Sequence, residues 1–230
     1  MTYPLEFKGW PKTPRLFRDM IITEKIDGTN AAVIVQDAWD VMDGRWSGYT
    51  RSYIEKWAAN GFPVVEIDGR FYLVGAQSRK RVITPQDDNF GFAKWVYDHA
   101  EELARLLGSG YHFGEWWGSG IQRGYGLKNG EKRFSLFNVT RYHEKLYATG
   151  PGLEAFESEL VKSGQLSTVP VLHQGPFDLL AVDVVRNDLA RNGSVAARGF
   201  DRPEGVIVFH NPSGHVYKST IENDDSPKGE

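Results

Sequence analysis

The heptapeptide Glu24-Lys25-Ile26-Asp27-Gly28-Thr29-Asn30 holds the most pointed chemical possibility in the chain. Its lysine ends an apolar run and directly precedes a glycine turn. β-Structure on one side can hold the amine in place, while the small residues beyond it leave room for a ligand. A lysine becomes a nucleophile near neutral pH only when burial or neighbouring positive charge helps remove its proton. Asp-Gly is also an ordinary hairpin turn, and a lysine beside one is equally at home as a solvated edge charge.

Further stretches follow in a fixed order. They are Ser78-Arg79, Phe113-Gly114-Glu115-Trp116, Phe134-Ser135-Leu136-Phe137-Asn138-Val139, Glu204-Gly205-Val206-Ile207-Val208 and Val216-Tyr217-Lys218. With Lys25-x-Asp27-Gly28 at the head, the series resembles the collinear motifs of the ATP-dependent RNA ligases. That family is a branch of the covalent nucleotidyltransferases, which also include DNA ligases and mRNA-capping guanylyltransferases. The resemblance runs from about Glu24 to Lys218. Thr29-Asn30 after the lysine motif, and Trp117-Gly118-Ser119-Gly120-Ile121-Gln122 after Trp116, point to the RNA ligase branch.

The resemblance implies an α+β, ATP-grasp-like nucleotidyltransferase fold of mainly antiparallel sheets flanked by helices; relatives commonly add an OB domain, but with 24 residues before Lys25 and ten after Thr220 none is expected here. By it, Lys25 attacks the α-phosphate of ATP and forms lysyl-AMP. The AMP passes to a 5′-phosphate on RNA, and a 3′-hydroxyl displaces it. Glu204 and Lys218 complete the implied catalytic set, with Glu204 also associated with the metal, Mg2+ or Mn2+. Glu115 is implied to bind the ribose hydroxyls, Phe137 to stack on adenine, and Arg79 to contact ribose or RNA phosphate. Glu24 and Asn30 flank the nucleophile and contact the adenine and the phosphate end. The alternatives are a DNA ligase of the same fold and a nucleotide- or RNA-end-binding protein that has lost turnover. One departure stands out: the family's last motif has two lysines one residue apart, whereas this chain reads Lys218-Ser219-Thr220, with Lys228 further along.

Composition narrows the rest. The chain of 230 residues has no cysteine, which excludes a disulfide scaffold, thiolate metal sites and a cysteine nucleophile. No apolar run approaches the roughly 20 residues of a membrane span, and Met1–Lys8 lacks a signal pattern, so a cytoplasmic monomer is expected. Net charge is −3, so contact with a polyanion must rest on a local patch. Arg79, Lys80, Arg81 and Arg123 are the candidates for it.

The elements that must position these residues alternate between hairpins and helices rather than βαβ units. Strands are expected at Met20–Lys25, Ala31–Gln36, Pro63–Ile67, Arg70–Gln77, Tyr111–Trp117, Arg133–Thr140, Thr168–Leu172, Val206–His210 and His215–Thr220. Asp68-Gly69 is a strong hairpin signal. Helical spacing predicts helices over 92–107, 153–160, 177–191 and 52–60. Residues 1–221 are expected as one adenylyltransferase domain and 222–230 as a loose polar tail, with 37–69 an insertion. Strand alternation adds a constraint. If Glu204 and Lys218 line one pocket, a regular four-residue loop at Asn211–Gly214 puts them on opposite faces. An odd loop or a bulge is therefore expected.

Overall fold

The protein, seen in a computed structural model that describes residues 6–38, 48–147, 158–222 and 224, is built around two β-sheets. The strands are β1 (Asp19–Lys25), β2 (Thr29–Asp37), β3 (Val64–Ile67), β4 (Arg70–Ser78), β5 (Val82–Ile83) and β6 (Gly110–Gly118). They continue as β7 (Lys132–Leu136), β8 (Leu166–Thr168), β9 (Val171–Pro176), β10 (Gly205–His210) and β11 (His215–Thr220). The helices are α1 (Gly48–Ala59), α2 (Phe92–Asp98), α3 (Ala100–Leu107), α4 (Val139–Tyr147), α5 (Glu159–Lys162) and α6 (Leu179–Asn192). The smaller sheet has the order β11-β10-β1-β9, and the larger runs β3-β4-β2-β6-β7-β8 with β5 paired to β4. Every pairing is antiparallel except β7 with β8. The expected α+β class is observed.

Each sheet has one helix-covered face. Alternation along β2, β4 and β7 sends Val33, Val35, Val74, Ala76, Phe134 and Leu136 into a core with α2 and α3. On the smaller sheet, Met20, Ile22, Val206 and Val208 pack against Val182 and Leu189 of α6. A third cluster joins the two sheets, with Ile21 and Ile26 against Trp117, Tyr125, Val139 and Phe200. Among the described residues, no helix is long and apolar enough to cross a membrane.

Several sequence expectations are corrected here. Asp27-Gly28 is not a hairpin turn, because β1 and β2 belong to different sheets. It is a crossover, and its glycine serves close approach. A Cβ on Gly28 would lie 2.5 Å from the Trp116 carbonyl oxygen and 2.8 Å from Trp117 Cβ. The expected strand 133–140 stops at Leu136, since Asn138 Oδ1 accepts from Arg141 N at 3.0 Å and starts α4. The expected strand 168–172 is two strands in two sheets, divided at Val169-Pro170, where proline removes a ladder donor. The expected helix 92–107 breaks at His99 into α2 and α3. Most of the helix expected over 153–160, part of the insertion, and Lys228 lie outside the described residues. The start of the expected loose tail is tied down: Asp224 accepts from Thr220 N at 2.9 Å, and Glu222 pairs with Arg123 at 3.5 Å.

Candidate active site

Lys25 is the last residue of β1, so its amine sits where the smaller sheet ends and the chain crosses to the larger one. Only 20% of its side chain is exposed, and its Nζ forms an ion pair with the Glu204 carboxylate. The crossover is clamped from three sides. Asp27 N donates to the Tyr125 hydroxyl at 2.9 Å. Arg123 Nε donates to Asp27 Oδ2 at 3.1 Å, and its Nη1 donates to the Arg202 carbonyl at 2.9 Å. Gly28 N donates to Glu115 Oε1 at 3.1 Å.

Beside Lys25 opens a cavity of about 370 Å³, within the range of small-ligand sites. The smaller sheet contributes Thr23, Lys25, Ile207 and Phe209 to its wall, and the larger contributes Glu115 and Phe137. Phe137, just past β7, is 40% exposed and unburdened by the core its neighbours Phe134 and Leu136 fill. Glu115 is half-buried, and burial pushes its carboxyl up to about 7 against the pull of the Gly28 amide and of Lys25. Asn30 pairs directly with Glu115 across β2 and β6, so the two side chains share a face.

The remaining expected residues fall less centrally. Glu24 borders the cavity, but its buried carboxylate is engaged elsewhere. It accepts from Ser194 Oγ at 2.6 Å, Val195 N at 2.8 Å and Ala196 N at 2.9 Å. Burial raises its pKa and these bonds oppose the rise. Lys218 is exposed on β11, paired with Ile207, which in turn pairs with Thr23. It therefore shares the face of Lys25, about 12 Å away between Cα positions by strand spacing and rise. Arg79 is exposed in the bend after β4 and makes no ion pair among the described residues. Of the other basic candidates, Arg81 is held by Asp87 and Arg123 is part of the clamp.

The final hairpin overturns the expected odd loop. Its register is regular from Gly205↔Thr220 to His210↔His215 around a four-residue loop, with no bulge. Glu204 still reaches the Lys25 face because Gly205 has φ 153°, which breaks the alternation just before the strand. A Cβ there would meet the Ser219 carbonyl oxygen at 2.3 Å.

Tyr125 was not singled out by sequence reasoning. It sits in a single 3-10 turn at φ 48°, 2% exposed, between two glycines of positive φ. The Gly124-Tyr125-Gly126 triplet, an aromatic in a segment otherwise built for tight turning, was the available signal.

Among the described residues no three acidic or histidine groups converge on one point. The side chains gathered here, an amine on a carboxylate facing a second carboxylate and an open aromatic ring, can bind a planar, hydroxylated, anionic ligand and attack an electrophile held by it.

The sequence matches the RNA ligase family over residues 18–220. The chain belongs to the RNA ligase family. A comparison with curated proteins gave no match. Solved structures of Naegleria gruberi RNA ligase variants are similar in fold. One with ATP and Mn is 14% identical with a TM-score of 0.48, over 88% of this chain and 50% of that one. One with AMP and Mn is 15% identical with a TM-score of 0.47, over 89% and 50%. The chain thus spans about half the length of these RNA ligases.

Proposed function

We propose that this RNA ligase family chain forms lysyl-AMP on Lys25 from ATP and transfers the AMP to RNA 5′-phosphate ends for sealing to a 3′-hydroxyl. The observation that carries this reading is the placement of the Lys25 amine at a sheet junction, opening on a cavity walled by Glu115 and Phe137. Adenine on the Phe137 ring and ribose hydroxyls at Glu115 would bring the α-phosphate to Lys25. Asn30 beside Glu115, and Arg79 beyond the end of β4, would contact ribose or phosphate, while Glu24 would hold the cavity wall through its bonds to residues 194–196.

Lys25 must give up a proton to solvent and leave Glu204 before it attacks. Its nitrogen then bonds the α-phosphorus as the bond to pyrophosphate breaks, and sheds a second proton to solvent to leave the phosphoramidate N–H. Lys218 supplies positive charge on the same face against the negative charge that grows on the α-phosphate oxygens. Magnesium is commonly held by one or two carboxylates together with substrate phosphates. Glu204 is the side chain that fits this role, and the ion would supply further neutralisation of the phosphate oxygens.

Intact-mass spectrometry after incubation with ATP and Mg2+ should show one added AMP, labile to acid and stable to alkali. Lys25→Ala and Lys25→Arg should show none, since arginine stays protonated. An adduct on both variants at the wild-type level would overturn the assignment. Wild-type protein should then seal 5′-phosphorylated RNA. Sealing of DNA in preference would move the reading to a DNA ligase, and adduct without any sealing to an end-binding protein.

A further inference from the structure

Strand alternation places Tyr111, Phe113 and Glu115 on one face of β6, where they pair with Ile34, Ala32 and Asn30 of β2. Glu115 is at the cavity, while the two aromatics lead away from it across the open part of the sheet. Tyr111 is 57% exposed and Phe113 46%. Their rings are nearly parallel, 17° apart in plane and 6.2 Å apart in centroid. Phe137 N donates to the Phe113 carbonyl at 3.0 Å, which continues the row to the half-exposed ring at the cavity rim. A position two residues along a strand lies roughly 7 Å away, so Phe113 and Tyr111 stand roughly 7 and 14 Å from Glu115.

Positive charge stands at the inner end of the row, where Lys25 opens on the cavity. Exposed aromatic faces leading to a cation are an arrangement by which proteins hold single-stranded nucleic acid: bases stack, phosphates meet charge. A chain of net charge −3 gains RNA affinity only through such local features. Core packing does not explain the two rings, because the core of this sheet is on its other face.

We infer that Tyr111 and Phe113 form a stacking platform for the unpaired bases next to the RNA end that enters the cavity. The inference rests on the RNA-sealing reading and adds to it a path for the strand. The ligand chemistry is a single-stranded oligoribonucleotide, held by its base faces without sequence readout.

The test uses Tyr111→Leu/Phe113→Leu, which keeps apolar bulk but removes the rings, and Tyr111→Trp, which keeps one. The probe is an unstructured 5′-phosphorylated oligoribonucleotide carrying 2-aminopurine near its 5′ end. Adduct formation with ATP and Mg2+ alone should equal wild type in all variants. RNA affinity of the double variant should fall about tenfold or more, with the quenching of 2-aminopurine lost. The dependence of affinity on salt should keep its slope, since no phosphate contact is removed. Tyr111→Trp should retain affinity and quenching. Wild-type affinity in the double variant, a change of salt slope, or loss of the adduct would each overturn the platform. Absence of the adduct from wild type would instead defeat the underlying reading, and the platform with it.

Discussion

The Lys25 amine and the Glu204 carboxylate are 179 positions apart in sequence and in contact in the fold. Two devices bring them together. The antiparallel pairing of β1 with β10 sets Lys25 opposite Gly205, and the positive φ of Gly205 turns the preceding residue toward the lysine. Glu204 is only 9% exposed, so its charge is balanced mainly by Lys25.

Gly205→Ala should therefore undo more than a methyl group suggests. The added Cβ would lie 2.7 Å from Thr220 Cα and 2.3 Å from the Ser219 carbonyl oxygen, both backbone atoms of β11. A side chain at this φ adds strain on the order of 1–3 kcal/mol. Denaturant titration should show at least that loss of stability, and AMP-adduct yield should fall in protein that is still folded. Wild-type behaviour on both measures would show that the turn of Glu204 does not depend on this glycine.

Glu24 should behave as a structural residue. Its carboxylate closes the Ser194–Ala196 loop through one hydroxyl and two amides, and it is 1% exposed. Glu24→Ala leaves three donors without that acceptor, a cost of about 2–4 kcal/mol. Glu24→Gln keeps one carbonyl oxygen and should cost less. Urea midpoints check the order. A Glu24→Ala protein of unchanged stability that has lost ATP binding would return the carboxylate to the ligand.

Glu115 makes folding stability depend on pH in a predictable sense. Its folded pKa is about 7 against an ordinary 4.5, so in that window the folded chain holds a proton that the unfolded chain releases. Stability from this group falls as pH rises through the window. His112 acts in the opposite sense. It is buried, donates from Nε2 to the Gly108 carbonyl at 2.8 Å and accepts at Nδ1 from the Tyr142 hydroxyl at 2.6 Å. Burial holds its pKa near 4 against 6.5, so its contribution rises with pH between those values and is complete above 6.5. The two nearly cancel in the wild type. Glu115→Gln should gain about 3 kcal/mol relative to wild type between pH 4.5 and 7.5, read from urea midpoints. A difference that stays constant with pH would remove the burial penalty assigned to Glu115.

What the sequence made legible was local. Asp68-Gly69 reads as a two-residue hairpin turn, and the fold has it, with both residues at positive φ between Ile67 and Arg70. The same dipeptide at Asp27-Gly28 misleads, because a turn signal does not say whether the strands it joins pair with each other or with distant partners. Only the packed Trp116 and Trp117 show that Gly28 is small for lack of space. The ordered motifs located the cavity walls, Lys25, Glu115 and Phe137, since each is carried by its own short segment. The Glu24 loop bonds and the Tyr125 contact to Asp27 stayed hidden, because each joins residues about a hundred or more positions apart with no local pattern.

The same division between local pattern and distant partner separates the basic residues that face solvent from those that hold the fold. Arg79, Lys80, Arg81 and Arg123 look alike in sequence. In the structure Arg81 is neutralised by Asp87, and Arg123 ties Asp27 to the backbone of Arg202, just ahead of Glu204. Arg79 and Lys80 are exposed and make no ion pair among the described residues. Each phosphate contact on a single strand contributes about 0.7 to the slope of log affinity against log salt. Arg79→Ala/Lys80→Ala should therefore lower that slope by up to about 1.4, and Lys80→Ala alone by about half of that while leaving the adduct of Lys25 with AMP intact. Arg123→Ala should do the reverse: an unchanged slope, with less adduct because the crossover that carries Lys25 has lost its clamp. Fluorescence titration of a labelled oligoribonucleotide across several salt concentrations, beside intact-mass measurement of the adduct, separates the two. A slope that drops for Arg123→Ala and holds for the double variant would place the RNA backbone at the clamp instead of at the end of β4.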